Sequence, residues 1–249
     1  MKKTFLFAAF AALCMTSCMN EEFPTLTPTT TGYGYISVNA SNDPVIETRA
    51  DVNVQDLSNW TIETLKVGEE TRQEWTSQTK YEAGTYTVYA RNYETDFAWM
   101  EANDNWGAAY YEGYVDVNVV AGKTTSADID CGKAQNGRIT TSFTLAEVFE
   151  DVSITVGVED RNLEFNKGNA SNLAYFAPGT VSYTLRYKYN KSEEKNIQGT
   201  VTVAAGAEHI ISVSSDMNGI INVSVTYDDS FTNGADENIF FDALTGEKV

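Results

Sequence analysis

Apolar and polar residues alternate along most of this chain with a period of two, the spacing of strands that bury one face and leave the other in water. Val115, Val117 and Val119 alternate with Tyr114, Asp116 and Asn118, and Ala127, Ile129 and Cys131 alternate with Ser126, Asp128 and Asp130. The pattern returns at Ile139, Thr141 and Phe143 and at Val152, Ile154, Val156 and Val158. It recurs along Val181, Tyr183, Leu185, Tyr187 and Tyr189, and again at Ile221, Val223, Val225 and Tyr227. Turn chemistry punctuates these runs at Ala83-Gly84, Ala121-Gly122, Asn136-Gly137, Pro178-Gly179, Ala205-Gly206, Asn218-Gly219 and Asn233-Gly234. Many short strands at such spacing predict an all-β fold of the sandwich type. Helical signals are few. Thr144-Leu145-Ala146-Glu147 has the spacing of a capping box and predicts one or two turns holding Leu145, Val148 and Phe149 against a sheet.

Two stretches repeat the same order of features. Tyr81-Glu-Ala-Gly84-Thr, Gly113 to Gly122 and Asn136-Gly137 are matched by Phe176-Ala-Pro-Gly179-Thr, Gly199 to Gly206 and Asn218-Gly219, at offsets of 95, 84 and 82 residues. The shrinking offset tolerates changes of loop length but keeps the strand order. The expectation is two tandem β-sandwich domains, at residues 32–135 and 136–249, each long enough to bury a core of its own.

The first residues follow a different logic. Lys2 and Lys3 precede an apolar run from Phe5 to Met15 that is too short to span a bilayer, so residues 1–17 read as an export signal. Met15-Thr16-Ser17-Cys18 resembles the lipobox cut by the lipoprotein signal peptidase, which makes Cys18 the residue to be acylated. Met15 stands where that pattern prefers Leu. The Pro- and Thr-rich stretch to Thr31 cannot bury apolar surface, so 18–31 reads as the acylated Cys and a flexible tether. Cutting before Cys18 removes Lys2 and Lys3, leaving 15 cationic against 35 acidic residues, and moves the net charge from −18 to −20. So acidic a surface argues against nucleic acid and anionic headgroups as partners. With Cys18 committed to lipid, Cys131 has no partner, and no disulfide framework is expected.

The chemistry of catalysis is sparse. His209 is the one histidine, and it shares a strand face with Ile211 and Val213, the position of a satisfied strand histidine. A metal site built on histidine or thiolate lacks its ligands, no nucleotide or hydrolase fingerprint occurs, and no carboxylate pair stands out, so no cofactor and no enzymatic activity are expected. Asp228-Asp229 and Asn233 to Asn238 make an oxygen-rich stretch whose spacing departs from a calcium loop and reads as a solvated turn. The segment 93–114 stands out, with Tyr93, Phe97, Trp99, Trp106, Tyr110, Tyr111 and Tyr114 set among Asp and Asn. Exposed aromatic faces stack on the C–H faces of sugars while amides and carboxylates take hydroxyls, so Trp99, Trp106, Tyr110 and Tyr111 are candidate ligand-binding residues. Aromatics of this kind also fill sandwich cores.

The signal and lipobox, Gly34-Tyr35-Ile36-Ser37-Val38, the Tyr81-x-x-Gly84-x-Tyr86 turn, Tyr110-Tyr111-Glu112-Gly113, and Cys131 with Asn136 together resemble an uncharacterised domain family of Bacteroides-type surface lipoproteins linked to carbohydrate binding or fimbriae. That resemblance implies a transthyretin-like or immunoglobulin-like sandwich and carries no catalytic residues. It implies an outer-membrane protein, anchored by its N-terminal lipid and facing the cell exterior, that acts as a glycan-binding or adhesive module. The chain also resembles two-domain transthyretin-like pilins of the same bacterial group. In that alternative Val45-Ile46-Glu47-Thr48-Arg49-Ala50 matches a processing site, cleavage after Arg49 removes the first strand, and fimbrial subunits are the partners.

Overall fold

A computed structural model describes residues 31–41, 57, 60–94, 97–229, 232–233 and 237–248. Cys18 and Arg49 lie outside the described residues, as do residues 230, 231 and 234–236 of the acidic stretch. The chain is built from strands. Its first half forms β1 (Tyr33–Ser41), β2 (Thr61–Lys66), β3 (Gln73–Glu74), β4 (Tyr81–Glu82), β5 (Gly84–Arg91), the short helix α1 (Ala98–Glu101), β6 (Glu112–Val119) and β7 (Thr124–Asp130). These make two sheets, β4-β1-β7 and β3-β2-β5-β6. Inward side chains from both sheets, among them Ile36, Val38, Ile62, Val88, Val117 and Ile129, pack into one apolar core.

The second half contributes β8 (Gly137–Thr144), β9 (Phe149–Val158), β10 (Arg161–Asn166), β11 (Ala174–Phe176), β12 (Gly179–Tyr189), β13 (Lys195–Val203), β14 (Glu208–Ser215), β15 (Ile220–Asp229), β16 (Thr232–Asn233) and β17 (Glu237–Asp242). Its sheets run β11-β8-β14-β15-β16, with β17 also on β15, and β10-β9-β12-β13. They enclose a second core that includes Ile139, Ile154, Phe165, Leu185, Tyr187 and Ile211. The molecule is thus all-β, two sandwiches in tandem.

The pairing scheme is duplicated. β1 runs parallel to β7, from Tyr35 opposite Thr124 to Ser41 opposite Asp130, and β8 runs parallel to β14, from Arg138 opposite Glu208 to Thr144 opposite Ser214. Short β4 lies antiparallel to β1 as β11 does to β8, while β5 sits between β2 and β6 as β12 sits between β9 and β13. Even a close approach repeats. A Cβ on Gly34 of β1 would stand 2.5 Å from the Val120 carbonyl oxygen, and one on Gly137 of β8 would stand 2.3 Å from that of Ala204. The first strand of each sandwich therefore needs glycine where it passes under the turn after β6 or β13. The duplication breaks at its third landmark. After β7 the chain leaves for β8 in the other sandwich, whereas after β14 it turns back at Asn218-Gly219 and adds β15 antiparallel to β14.

Two local expectations fail for stated reasons. Thr144 to Phe149 forms a turn and not a helix, because four residues separate the ends of β8 and β9 and a helix nucleus that short is unfavourable. The turn is held by the Phe149 N–H donating to Ala146 (3.1 Å) and the Ala146 N–H donating to Ser215 Oγ (2.9 Å), and Leu145 and Val148 still pack on the core. Val158 keeps its alternation but is exposed, since β9 ends there in the hairpin to β10.

Candidate functional site

The aromatic segment after β5 begins with α1 and then turns sharply through Asn103, Asp104 and Asn105, which have φ values of 51°, 55° and 69°. Asn and Asp tolerate this left-handed region better than other residues with a side chain. The turn closes on itself. The Gly107 N–H donates to Ala102 (2.9 Å), the Ala108 N–H to Trp99 (3.0 Å), and Asn103 Nδ2 to the Gly107 carbonyl (2.8 Å).

From there residues 108–111 run extended between two side-chain amides. Asn136 is buried, donates from Nδ2 to the Ala108 carbonyl (2.7 Å) and accepts from the Tyr110 N–H (3.0 Å). Asn92 mirrors it, donating to the Ala109 carbonyl (2.9 Å) and accepting from the Tyr111 N–H (2.8 Å). Periodicity reasoning treats Asn136-Gly137 only as a turn. Its real task, satisfying the backbone of a segment far away in sequence, leaves no local signal.

These clamps decide where the candidate rings go. Trp99, Tyr110 and Tyr111 are 2%, 6% and 4% exposed and belong to the first core. Trp106 crosses to the other sandwich, where its ring meets Phe165 edge-on at 4.9 Å. Tyr175 of β11 makes the reciprocal crossing, packing into the first core while its N–H donates to the Trp106 carbonyl (2.8 Å). Arg161 of β10 completes the contact by donating to the Tyr175 carbonyl (2.5 Å) and the Asn105 carbonyl (2.7 Å), with its guanidinium over the Phe176 ring at 4.7 Å. Burial pushes its pKa below the ordinary arginine value.

The expectation of sugar-stacking rings is therefore corrected at Trp99, Tyr110 and Tyr111, which are buried. Trp99, Tyr110 and Tyr111 present no open ring face, and Trp106 is half-buried in its edge-on contact with Phe165. The physical reason is area: each such ring buries on the order of 150–250 Å², and two adjoining cores need covering where they meet. The segment is a junction.

The remaining chemistry is quiet. His209 is buried, its Nε2 accepts from the Ala204 N–H (3.2 Å), its ring lies 4.9 Å from Tyr227, and burial lowers its pKa. Cys131 is a buried free thiol whose pKa burial pushes up to about 12, which makes it inert at neutral pH. Among the described residues, no group of three or more His, Cys, Asp or Glu side chains could hold a metal ion.

Two features at the surface remain. One is β1, which lies between β4 and β7 and delivers Ile36, Val38 and Ala40 to the core. The other is Tyr114, 69% exposed on the outer face of β6.

A fimbrial assembly protein from Parabacteroides distasonis superposes with a TM-score of 0.47 at 6% identity, over 84% of this chain and 98% of that one. The tip fimbrial protein Mfa3 from Porphyromonas gingivalis does so with a TM-score of 0.45 at 8% identity, over 79% and 99%. A protein from Bacteroides eggerthii, described as a candidate cell adhesion protein, gives 0.46 at 10% identity, over 79% and 95%. At such identities none of them transfers a ligand or a partner to this chain. No curated protein matches it. A family model matches residues 32–240, through both sandwiches, and the chain belongs to that family, a domain of unknown function designated DUF4493.

Proposed function

We propose that this chain is a non-enzymatic adhesive or fimbrial subunit of the cell surface, exported as a lipoprotein acylated on Cys18, whose first strand is exchangeable. The observation that carries the reading is the setting of β1. It pairs with β7 along seven residues but with β4 at only two, and its alternate side chains Ile36, Val38 and Ala40 plug the first core. Its withdrawal opens an apolar trench flanked by unpaired backbone donors and acceptors, which another subunit's strand fills by β-augmentation. Arg49 lies in sequence between β1 and β2, so a cut there severs β1 and leaves every other strand connection whole. The equivalent β8 is held by short connections at both ends, which restricts exchange to the first sandwich.

The test compares the chain from Cys18 onward, carrying Cys18→Ala, with protein that starts at Ala50. Size measurement by light scattering is expected to show a monomer for the first and oligomers for the second, and a synthetic peptide of residues 33–41 is expected to bind the second and suppress its oligomers. An Ala50-start protein that stays monomeric and ignores the peptide sinks the proposal.

A second reading keeps β1 and the lipid in place, as an anchored glycan-binding protein. The exposed aromatic surface of the first sandwich favours it. A full-length mature form retained in cell membranes supports that reading, and a soluble form starting at Ala50 supports exchange.

A further inference from the structure

Across the outer face of the β3-β2-β5-β6 sheet, Glu63, Tyr89 and Tyr114 stand in one cross-strand row. The rings of Tyr89 and Tyr114 are 5.9 Å apart and tilted by 38°. Arg72, from the loop before β3, lays its guanidinium over Tyr89 at 3.9 Å and donates to Glu63 (3.2 Å), which braces the Tyr89 ring. Glu63 also accepts from Arg91 (3.2 Å). The period of the strand places Glu112 and Asp116 on the same face, two residues either side of Tyr114. Opposite them across the ladder lie Arg91 and Thr87, and Thr87 donates to Asp116 (2.7 Å).

The result is an aromatic row, half-buried at Tyr89 and exposed at Tyr114, with carboxylates along both borders. A cross-strand tyrosine pair also stabilises a sheet, but that role does not require Tyr114 to leave most of its surface in water. We infer that this face is a binding site for neutral glycans, centred on Tyr89 and Tyr114. The inference rests on the adhesive reading above and names the ligand class.

The chemistry selects the occupant. The ring surface offers stacking to the C–H face of a pyranose. Glu63 accepts from Arg72 and Arg91, Glu112 from the Tyr110 hydroxyl and Asp116 from Thr87, and an ionised carboxylate accepts about four hydrogen bonds, so each has capacity left for sugar hydroxyls as water leaves it. An apolar protein surface would desolvate the same carboxylates without replacing those bonds, which is costly. Glu63, Glu112 and Asp116 outnumber Arg72 and Arg91 on this face, and both arginines are engaged by Glu63, so phosphate, sulfate and uronate groups meet an excess of negative charge. A flat strand face rather than a pocket suits an extended chain of sugars.

The test is retention of the Cys18→Ala protein, from residue 18 onward, in native gels containing neutral polysaccharides (mixed-linkage β-glucan, xylan, galactomannan, α-mannan) or acidic ones (polygalacturonate, hyaluronate). Retention by at least one neutral and by neither acidic polysaccharide is expected. Tyr114→Ala should weaken it by about tenfold or more, Tyr114→Phe should keep most of it, and Trp99→Phe should leave it unchanged. The melting temperature of Tyr114→Ala should stay close to that of the parent. No retention by any neutral polysaccharide, retention by the acidic ones, or undiminished retention of the Tyr114→Ala protein overturns the site. Strand exchange is read on the Ala50-start protein, so the two proposals fail separately.

Discussion

Trp99 and Trp106 share one short loop yet answer to different cores, and the difference is measurable. Trp99 is fully enclosed in the first sandwich, so Trp99→Ala leaves a cavity and should cost roughly 3–5 kcal/mol in urea unfolding. Trp106 is only half-buried against Phe165, and Trp106→Ala should cost less, on the order of 1–3 kcal/mol. If Trp99→Ala shifts the unfolding midpoint no more than a surface substitution does, its ring is not a core element. The same contrast explains why residue type misleads here. A tryptophan among Asp and Asn suits a binding loop and a covering loop equally well, and backbone contacts made elsewhere separate the two, the Ala108 N–H on the Trp99 carbonyl and the Tyr175 N–H on that of Trp106.

At the scale of elements, the two opening strands share a glycine close approach, and β8 adds an ion pair to it. Arg138 of β8 donates from Nε (3.1 Å) and Nη2 (2.5 Å) to one carboxylate oxygen of Glu208, its register partner on β14, and so locks the parallel pairing at its start. Gly137 beside it has no room for a methyl group under Ala204. Gly137→Ala forces the backbone of β8 or of the turn to shift and should destabilise the second sandwich by about 1–3 kcal/mol, seen as a lower midpoint in thermal unfolding. An unchanged midpoint would mean that the turn yields freely. The failed helix at Thr144 to Glu147 belongs to this scale too. Its capping residues are present, but the span between two paired strands admits only a turn, and strand pairing overrides local propensity.

For the whole molecule, the question is how far the two sandwiches stand alone. Every sheet draws its strands from one half of the chain, yet Trp106 and Tyr175 each cross into the other's core and Arg161 ties both backbones. A fragment of residues 136–249 should therefore unfold cooperatively, as an independent core allows. Its midpoint should lie below that of the same sandwich in the intact chain, because Phe165 loses its cover. A fragment without a cooperative transition would mean that the junction is part of one shared core.

The alternation of side chains by itself determined the β class and most strand positions, because burial of one sheet face writes a period of two directly into the residues. It also marked Cys131 and His209 as packing residues, since each falls on an apolar face. What tertiary structure alone decided is which aromatics meet water. Tyr110 and Tyr111 are drawn in by amide clamps whose two ends are distant in sequence, and Tyr114, three residues on, is turned out by the parity of β6. The pairing of Tyr114 with Tyr89 under Arg72, and the seat of β1 between β4 and β7, likewise follow from register between separate strands. Register is a property of two segments together, and a period within one segment does not encode it.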